Sequence, residues 1–272
     1  MTSNCDIQIK TTVSTVYVLT VLVMSYFYSS LTLGAEDREP LRAAIIWHEL
    51  KDQRYHVMIS EYEDEVWLPP QIVAQSESPV TTPSLAVNDD QSLMAIWSQQ
   101  AFGAVRLMFA DKKKNEDEWS VPQILLSDGA WNMNPNLVKD GAGQLWLFWS
   151  SSIDGDTDIY LMNKSVNSTW SEKQRVHLDN DVPDNKPQAR LGQTGDVQLE
   201  WFHLDEKTHR YEIKEAQFTV ALDAEQAKKM ELKTQQAKEE ITKLALPNFL
   251  PRYTSGVLLF KDNIFYQSRR ID

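Results

Sequence analysis

Residues Pro135–Val176 read PNLVKDGAGQLWLFWSSSIDGDTDIYLMNKSVNSTWSEKQRV. NLVKD is followed by the Gly-rich turn GAG, QLWLFWSS by the turn DGDTD, and DIYLMN by KSVNS and TWSEKQRV. Each run is short, apolar and aromatic-rich, and is bounded by Asp, Asn, Gly or Ser, the pattern of a β-strand. The Gly and Asp positions supply tight hairpin turns. The preceding stretch repeats the scheme as SLAVN, SLMAIWSQ, VRLMFAD and EWSVPQIL.

The repetition is regular. Trp47, Trp97, Trp149 and Trp201 are 50, 52 and 52 residues apart, and Trp67, Trp119 and Trp170 are 52 and 51 apart. Pro83, Pro135 and Pro187 are spaced by 52 twice, and each lies 14 residues before a tryptophan of the first set. Periods of this size mark propellers or solenoids, and four antiparallel strands per period mark a propeller blade. The expected fold is all-β: a small β-propeller of four or five four-stranded blades, with one C-terminal helix and an N-terminal hydrophobic segment.

The first unit, Ile45 to Val73, lacks its leading strand, and the unit from Pro187 shows three strands ending near Val220. Leu222 stands where the next outer-strand tryptophan is due. Asp223 and Gln226 have the spacing of a capping box, and Pro247 ends the helix they open. Ala227, Met230, Ala237, Ile241 and Leu244 recur near a period of about 3.5, interrupted by Thr234. Two readings stay open for this 224–246 helix: it lies on the propeller, or it offers a self-association stripe. SGVLLFK and IFYQS around Asp262-Asn263 form a hairpin expected to complete the first blade. The domain reading is therefore 1–35 as signal peptide or anchor, 36–222 as propeller repeats, 223–247 as helix and 248–272 as closing hairpin.

Residues Thr11 to Leu33 carry no charge, with Lys10 before them and Glu36-Asp37 after. That length fits a signal-peptide core or a membrane anchor, and the flanking charges direct the rest of the chain outward. The expected location is periplasmic or extracellular, with membrane contact only through residues 11–33 if they are not cleaved. Cys5 is the single cysteine and precedes this stretch, so the exported part has no disulfide and no Cys-ligated metal. With 39 acidic and 27 basic side chains, the chain repels phosphate backbones, and nucleic acid is excluded as a partner class.

The segments WSVPQIL, NMNPNLVKDGAGQLWLFWSSSIDGDTDIY, WSEKQRV and DNKPQARLGQTGDVQLEW resemble the sialidase-type propellers with Asp-box, or BNR-like, repeats. SSIDGDTDIYLMN also resembles the WD40-like repeats of periplasmic translocation-type propellers. The resemblance covers roughly residues 43 to 220. An Asp box reads Ser-x-Asp-x-Gly-x-Thr-Trp; Ser152-Ile153-Asp154-Gly155 has its Gly one position early and no Trp, so the boxes are degenerate. A sialidase-like hydrolase would need three arginines on a carboxylate, a Tyr nucleophile backed by Glu, and an acid/base Asp. The Arg-Ile-Pro motif of that family is absent, and Glu39-Pro40-Leu41-Arg42 does not match it. No catalytic residue carries over.

No metal site and no cofactor are expected. His48-Glu49 lacks a second His for a zinc motif, and the run Asp154, Asp156, Asp158 lacks the Gly and Glu of a calcium loop, so it reads as a solvated turn. Candidate ligand-binding residues are instead Trp131, Asn132 and Asn134 in one inter-blade loop and Asp184 and Asn185 in the next. His203 and the pair His48 and Glu49 follow repeat tryptophans and join the same rim. An exposed indole among amides is how proteins hold sugar rings. Arg190 falls where the other units have Ala86 and Val138 on the innermost strand. It either pairs with Asp184 or Glu200 or meets an anionic ligand. The expected function is binding of a glycan or protein ligand at the cell envelope without catalysis. A sialidase-like glycoside hydrolase and a scaffold in an envelope assembly are the alternatives.

Overall fold

The computed structural model describes residues 42–88, 90–153, 155–165, 168–178, 180–245, 247, 254–261 and 264–267. The 1–35 segment, Asp154 and the linker 248–253 lie outside them. Among the described residues no helix is long and apolar enough to cross a membrane.

The chain is a β-propeller with one C-terminal helix. Blade 1 holds β1 (Arg42–Lys51), β2 (Arg54–Glu63), the two-residue β3 (Val66–Trp67) and β4 (Gln71–Ser76). Blade 2 holds β5 (Val80–Val87), β6 (Leu93–Ala101), β7 (Ala104–Lys112) and β8 (Gln123–Leu126). Blade 3 holds β9 (Trp131–Lys139), β10 (Leu145–Ile153), β11 (Asp156–Lys164) and β12 (Gln174–Arg175). Blade 4 has three strands, β13 (Asp184–Leu191), β14 (Val197–Asp205) and β15 (Arg210–Phe218). The helix α1 (Ala224–Lys243) and the strands β16 (Thr254–Lys261) and β17 (Ile264–Gln267) follow. β16 pairs antiparallel with β1, as β5, β9 and β13 pair with β6, β10 and β14, and β17 extends that sheet beyond β16.

Each inner strand begins before its repeat proline and bulges there. The registers slip between Thr81 and Ser84, and again at the matching places in β9 and β13. Thr82, Asn134 and Lys186, the residues before Pro83, Pro135 and Pro187, have φ of 46°, 54° and 52°. Proline lacks the N–H a ladder needs, and the left-handed residue before it absorbs the extra length. The side chains just after Pro83 and Pro135 then clasp the next blade. Ser84 Oγ accepts from Leu137 N–H at 2.9 Å, and Asn136 Oδ1 accepts from Ala189 N–H at 2.8 Å.

Among the described residues the core forms three slabs, between blades 1 and 2, 2 and 3, and 3 and 4. Ile46, Val57 and Ile59 of blade 1 meet Leu93, Ala95, Trp97 and Met108 of blade 2. Ile96 and Leu107 meet Leu147, Trp149 and Met162. Phe148, Ile159 and Leu161 meet Ala189, Leu199 and Trp201. The repeat tryptophans of the second strands are thus the thickest plates of the slabs, and this packing sets the period. An ion pair of Lys112 Nζ and Glu61 Oε1 at 2.6 Å, both mostly buried, adds a cross-link between blades 1 and 2.

The outer strands are shorter than their sequence suggests. β8 and β12 keep only Gln123–Leu126 and Gln174–Arg175. Trp119 and Trp170 precede them outside the ladder and pack half-buried on the slabs, and Pro122 cannot donate to one. The helix opens as the capping box requires: Gln226 N–H donates to Asp223 Oδ1 at 2.8 Å, and Asp223 N–H to Gln226 Oε1 at 3.0 Å. Met230 packs on the blade 3/4 slab and Thr234 is buried, so this part of the helix faces the propeller. Gly141 and Gly195 make that approach possible, because a Cβ at Gly195 would stand 2.7 Å from the Leu222 side chain.

Candidate functional site

Antiparallel alternation brings the starts of β9 and β13 and the ends of β10 and β14 to one edge, where Asn132 faces Ser151 and Asp184 faces His203. A polar device repeats there with the 52-residue period. In blade 3, Asp128 Oδ1 accepts from Ala130 N–H and from Asn132 Nδ2, and Asn132 Oδ1 accepts from Trp149 Nε1 at 2.8 Å. In blade 4, Asn180 Oδ1 accepts from Val182 N–H, Asn180 Nδ2 donates to Asp184 Oδ2, and Asp184 Oδ1 accepts from Trp201 Nε1 at 2.6 Å. Carboxylate and amide have exchanged places while the geometry persists. Asn132 and Asp184, which residue type alone suggests as ligand contacts, are therefore buried partners of the repeat indoles; Asp184 is only 1% exposed.

Around Asp184 a second layer gathers: His203, expected on this rim, His177, which the sequence did not point to, and Asp158, which is buried within β11 rather than solvated in a turn. His203 Nδ1 lies 2.9 Å from Asp184 Oδ1. His177 stacks on Trp201 with ring centroids 5.9 Å apart. Its Nδ1 lies 2.8 Å from Leu178 O, and its Nε2 accepts from Ile159 N–H at 3.2 Å. That tautomer follows from the carbonyl, which can only accept. Asp158, His177 and Asp184 offer ligand atoms within 4.8 Å of one another, the arrangement that could hold a cation. A cation at His177 Nε2 would displace the Ile159 N–H, and Arg175 Nε already lies 3.4 Å from Asp158 Oδ2. The contacts are those of a buried network closing the blade 3/4 seam where β12 leaves β11.

Lys173 serves the blade 2/3 seam. Its Nζ donates to Asp128 Oδ2 at 2.8 Å and to Ser151 Oγ at 3.0 Å, and sits 4.0 Å from the centroid of Tyr160. Burial works to raise the Asp128 carboxyl, but the hydrogen bonds from Lys173 and Asn132 outweigh it and hold it below the usual carboxylate range. A lowered carboxylate contributes stability that is complete above its unfolded value, about 4, and is lost as pH falls through the folded value. Lys173→Met should reduce that contribution, leaving the bonds from Asn132 and Ala130, and so narrow the stability difference between pH 7 and pH 3 in urea unfolding. An unchanged acid limb would contradict the pairing.

Trp131 is the exposed member of this end. The equivalent residues of the neighbouring repeats are Pro79 and Pro183, so the repeat does not require an aromatic here. Trp131 is 47% exposed and opens β9 opposite Ser152. Its Nε1 donates to Gly103 O at 3.0 Å, which fixes the ring against the β6–β7 hairpin. The tip of that hairpin is Phe102, fully exposed and held at φ 39°. Such tips favour Asn-Gly, because both central residues take positive φ. An exposed Phe in that conformation costs stability without burying apolar surface. Phe102 was not among the candidates drawn from the sequence, although Phe102-Gly103 in a two-residue turn was the available signal.

The remaining candidates are spread around the rim. Asn134 is the left-handed residue of its bulge, and Asn185 pairs across to Phe202. Glu49 accepts from Trp47 Nε1 at 3.2 Å. Burial lowers the basicity of the neighbouring His48. Arg190 is not poised for an anion: its Nε donates to Gln198 Oε1 at 3.0 Å and its Nη1 to Glu200. Its position explains its chemistry. Val138 and Ala86, its equivalents, pack against a following blade, and blade 4 has no following four-stranded blade among the described residues.

Fold and site together define a small β-propeller whose one end carries fixed aromatics beside buried amide, carboxylate and imidazole groups. No family model matches the sequence, and no curated protein matches it. Among solved structures the chain is similar to the endo-arabinase from Bacteroides thetaiotaomicron, at 12% identity and a TM-score of 0.42, over 65% of this chain and 74% of that one. It is also similar to an α-L-arabinofuranosidase from Podospora anserina, at 11% identity and a TM-score of 0.43, over 68% of this chain and 65% of that one. A fucose lectin from Kordia zhangzhouensis matches at 11% identity and a TM-score of 0.34, over 52% of this chain and 98% of that one. The match spans just under two thirds of the Podospora enzyme's own length. The propeller assignment rests on the repeat, the strand pairing and the three inter-blade slabs.

Proposed function

We propose that the chain is a non-catalytic propeller of the cell envelope that binds a glycan, with a sugar ring laid on Trp131. The observation that carries this reading is a half-exposed indole, fixed by its own N–H, where the repeat elsewhere has proline. A fixed aromatic face stacks on the C–H face of a sugar with little ordering cost, and nearby polar groups meet its hydroxyls. Ser152, across from Trp131, and the Lys173–Asp128 pair beyond it are the polar groups at hand. Export through residues 11–33 is part of the proposal.

Asp184 supports binding over hydrolysis, because a general acid or base must reach substrate. Its oxygens are committed to Trp201, His203 and Asn180. The test applies the full chain in mild detergent to an array of arabinans, xylans, fucosides and sialosides, and to fluorogenic glycosides of the same sugars. Binding without turnover is the expected result. Turnover would replace the binding reading by a hydrolase, and failure to retain any glycan would leave a protein as the ligand class.

A further inference from the structure

We propose that two copies of this chain associate through β15, pairing antiparallel across a two-fold axis at Ile213. Blade 4 stops one strand short. In blades 1, 2 and 3 the third strand is covered by β4, β8 and β12, whereas β15 has no outer neighbour among the described residues. Matching each third strand through its repeat tryptophan sets Met58, Met108, Tyr160 and Lys214 equivalent. On that register β4 covers Tyr55 to Ile59, which corresponds to Tyr211 to Glu215, a span centred on Ile213. Val57, Leu107 and Ile159, the equivalents of Ile213, are fully buried, while Ile213 is 59% exposed. Tyr211 and Phe202 are exposed beside it, their rings edge to face.

The backbone at that point is turned outward. Ile159 O accepts from Val176 N–H at 2.9 Å, and Ile159 N–H reaches His177 Nε2, so the residue in this position presents both groups to the outer neighbour. Ile213 therefore has a donor and an acceptor facing the open edge, and two copies can exchange both bonds.

The side chains select a second copy over other strands. With Ile213 opposite itself, Glu212 faces Lys214 of the second copy, and Lys214 faces Glu212. Both are half-exposed in the single chain, where they make only a 3.4 Å contact with each other. A lone lysine on an edge strand discourages pairing. A glutamate opposite removes that obstacle, and it does so in this register. The same contact occurs twice, as a two-fold interface requires.

Sedimentation of the full chain in detergent tests the proposal. The wild type should be dimeric, with an unfolding midpoint that rises with protein concentration, and Ile213→Asp should be a monomer with an unchanged circular dichroism spectrum and a concentration-independent midpoint. Glu212→Lys places lysines opposite one another and should weaken the dimer about tenfold. The double exchange Glu212→Lys/Lys214→Glu should restore it. A wild-type monomer at every concentration would overturn the proposal. So would a dimer that persists in Ile213→Asp, since it would be held elsewhere, and so would a double exchange as weak as the single one.

Discussion

Trp149→Ala should lower the unfolding free energy by about 4 kcal/mol, in the middle of the range for large aromatic core side chains cut to alanine. The indole is fully buried in the slab between blades 2 and 3, beside Leu107, Leu137, Leu147 and Met162. Both blades contribute to its pocket, so neither collapses alone to fill the void. Its N–H also holds Asn132 Oδ1 at 2.8 Å, and the variant leaves that buried oxygen unpaired. Trp149→Phe keeps most of the plate and loses the N–H, which should cost about 1–2 kcal/mol. Urea midpoints followed by circular dichroism separate the two. A Trp149→Ala loss below about 1 kcal/mol would show that the slab is not what joins the blades.

Asp184→Ala carries the second large effect, a loss of about 3 kcal/mol, because it strands three groups at once. Trp201 Nε1, His203 Nδ1 and Asn180 Nδ2 all lie at hydrogen-bond distance from this carboxylate. Asp184→Asn should cost less than half as much, since Asn132 shows an amide meeting an indole in the same place one repeat earlier. If Asp184→Asn were as damaging as Asp184→Ala, the negative charge itself would matter. The cluster with Asp158 and His177 would then need reading as a cation site, and added zinc or calcium should raise the wild-type midpoint. A buried network without a cation predicts no such rise.

The spacing of the tryptophans and prolines made the propeller legible, because each marks a place the fold uses repeatedly. The indoles are the slabs between blades, and the prolines are the bulges of the inner strands. What the prolines did not reveal is the left-handed backbone at Thr82, Asn134 and Lys186, since these residue types carry no shared signature. The outer strands fall short of the expected length because Trp119 and Trp170 look like strand residues but pack beside the ladder.

At the site, residue type misled in a definable way. Asn132 and Asp184 are polar residues near loops, which suggests ligand contact. Each also stands 17 residues before a repeat tryptophan, and that recurrence signals a structural partner. His177 and Lys173 could not be placed, since only the stacking of one blade on the next brings them to the seams. Arg190 was legible as an anomaly on an apolar face. Its partner is Glu200, which takes the place of the buried Phe148 and Ile96, so that a polar pair stands where the other blades have apolar side chains.

Whether Trp131 holds the ligand is decided by calorimetric titration of the best-retained glycan into wild type and Trp131→Ala. Stacking on the indole predicts an affinity at least about tenfold lower for the variant, the loss expected of an aromatic anchor. The unfolding midpoint should stay unchanged, because the indole is half-exposed. Equal affinities, with both proteins folded, would contradict the stacking site and move the ligand away from this end of the propeller.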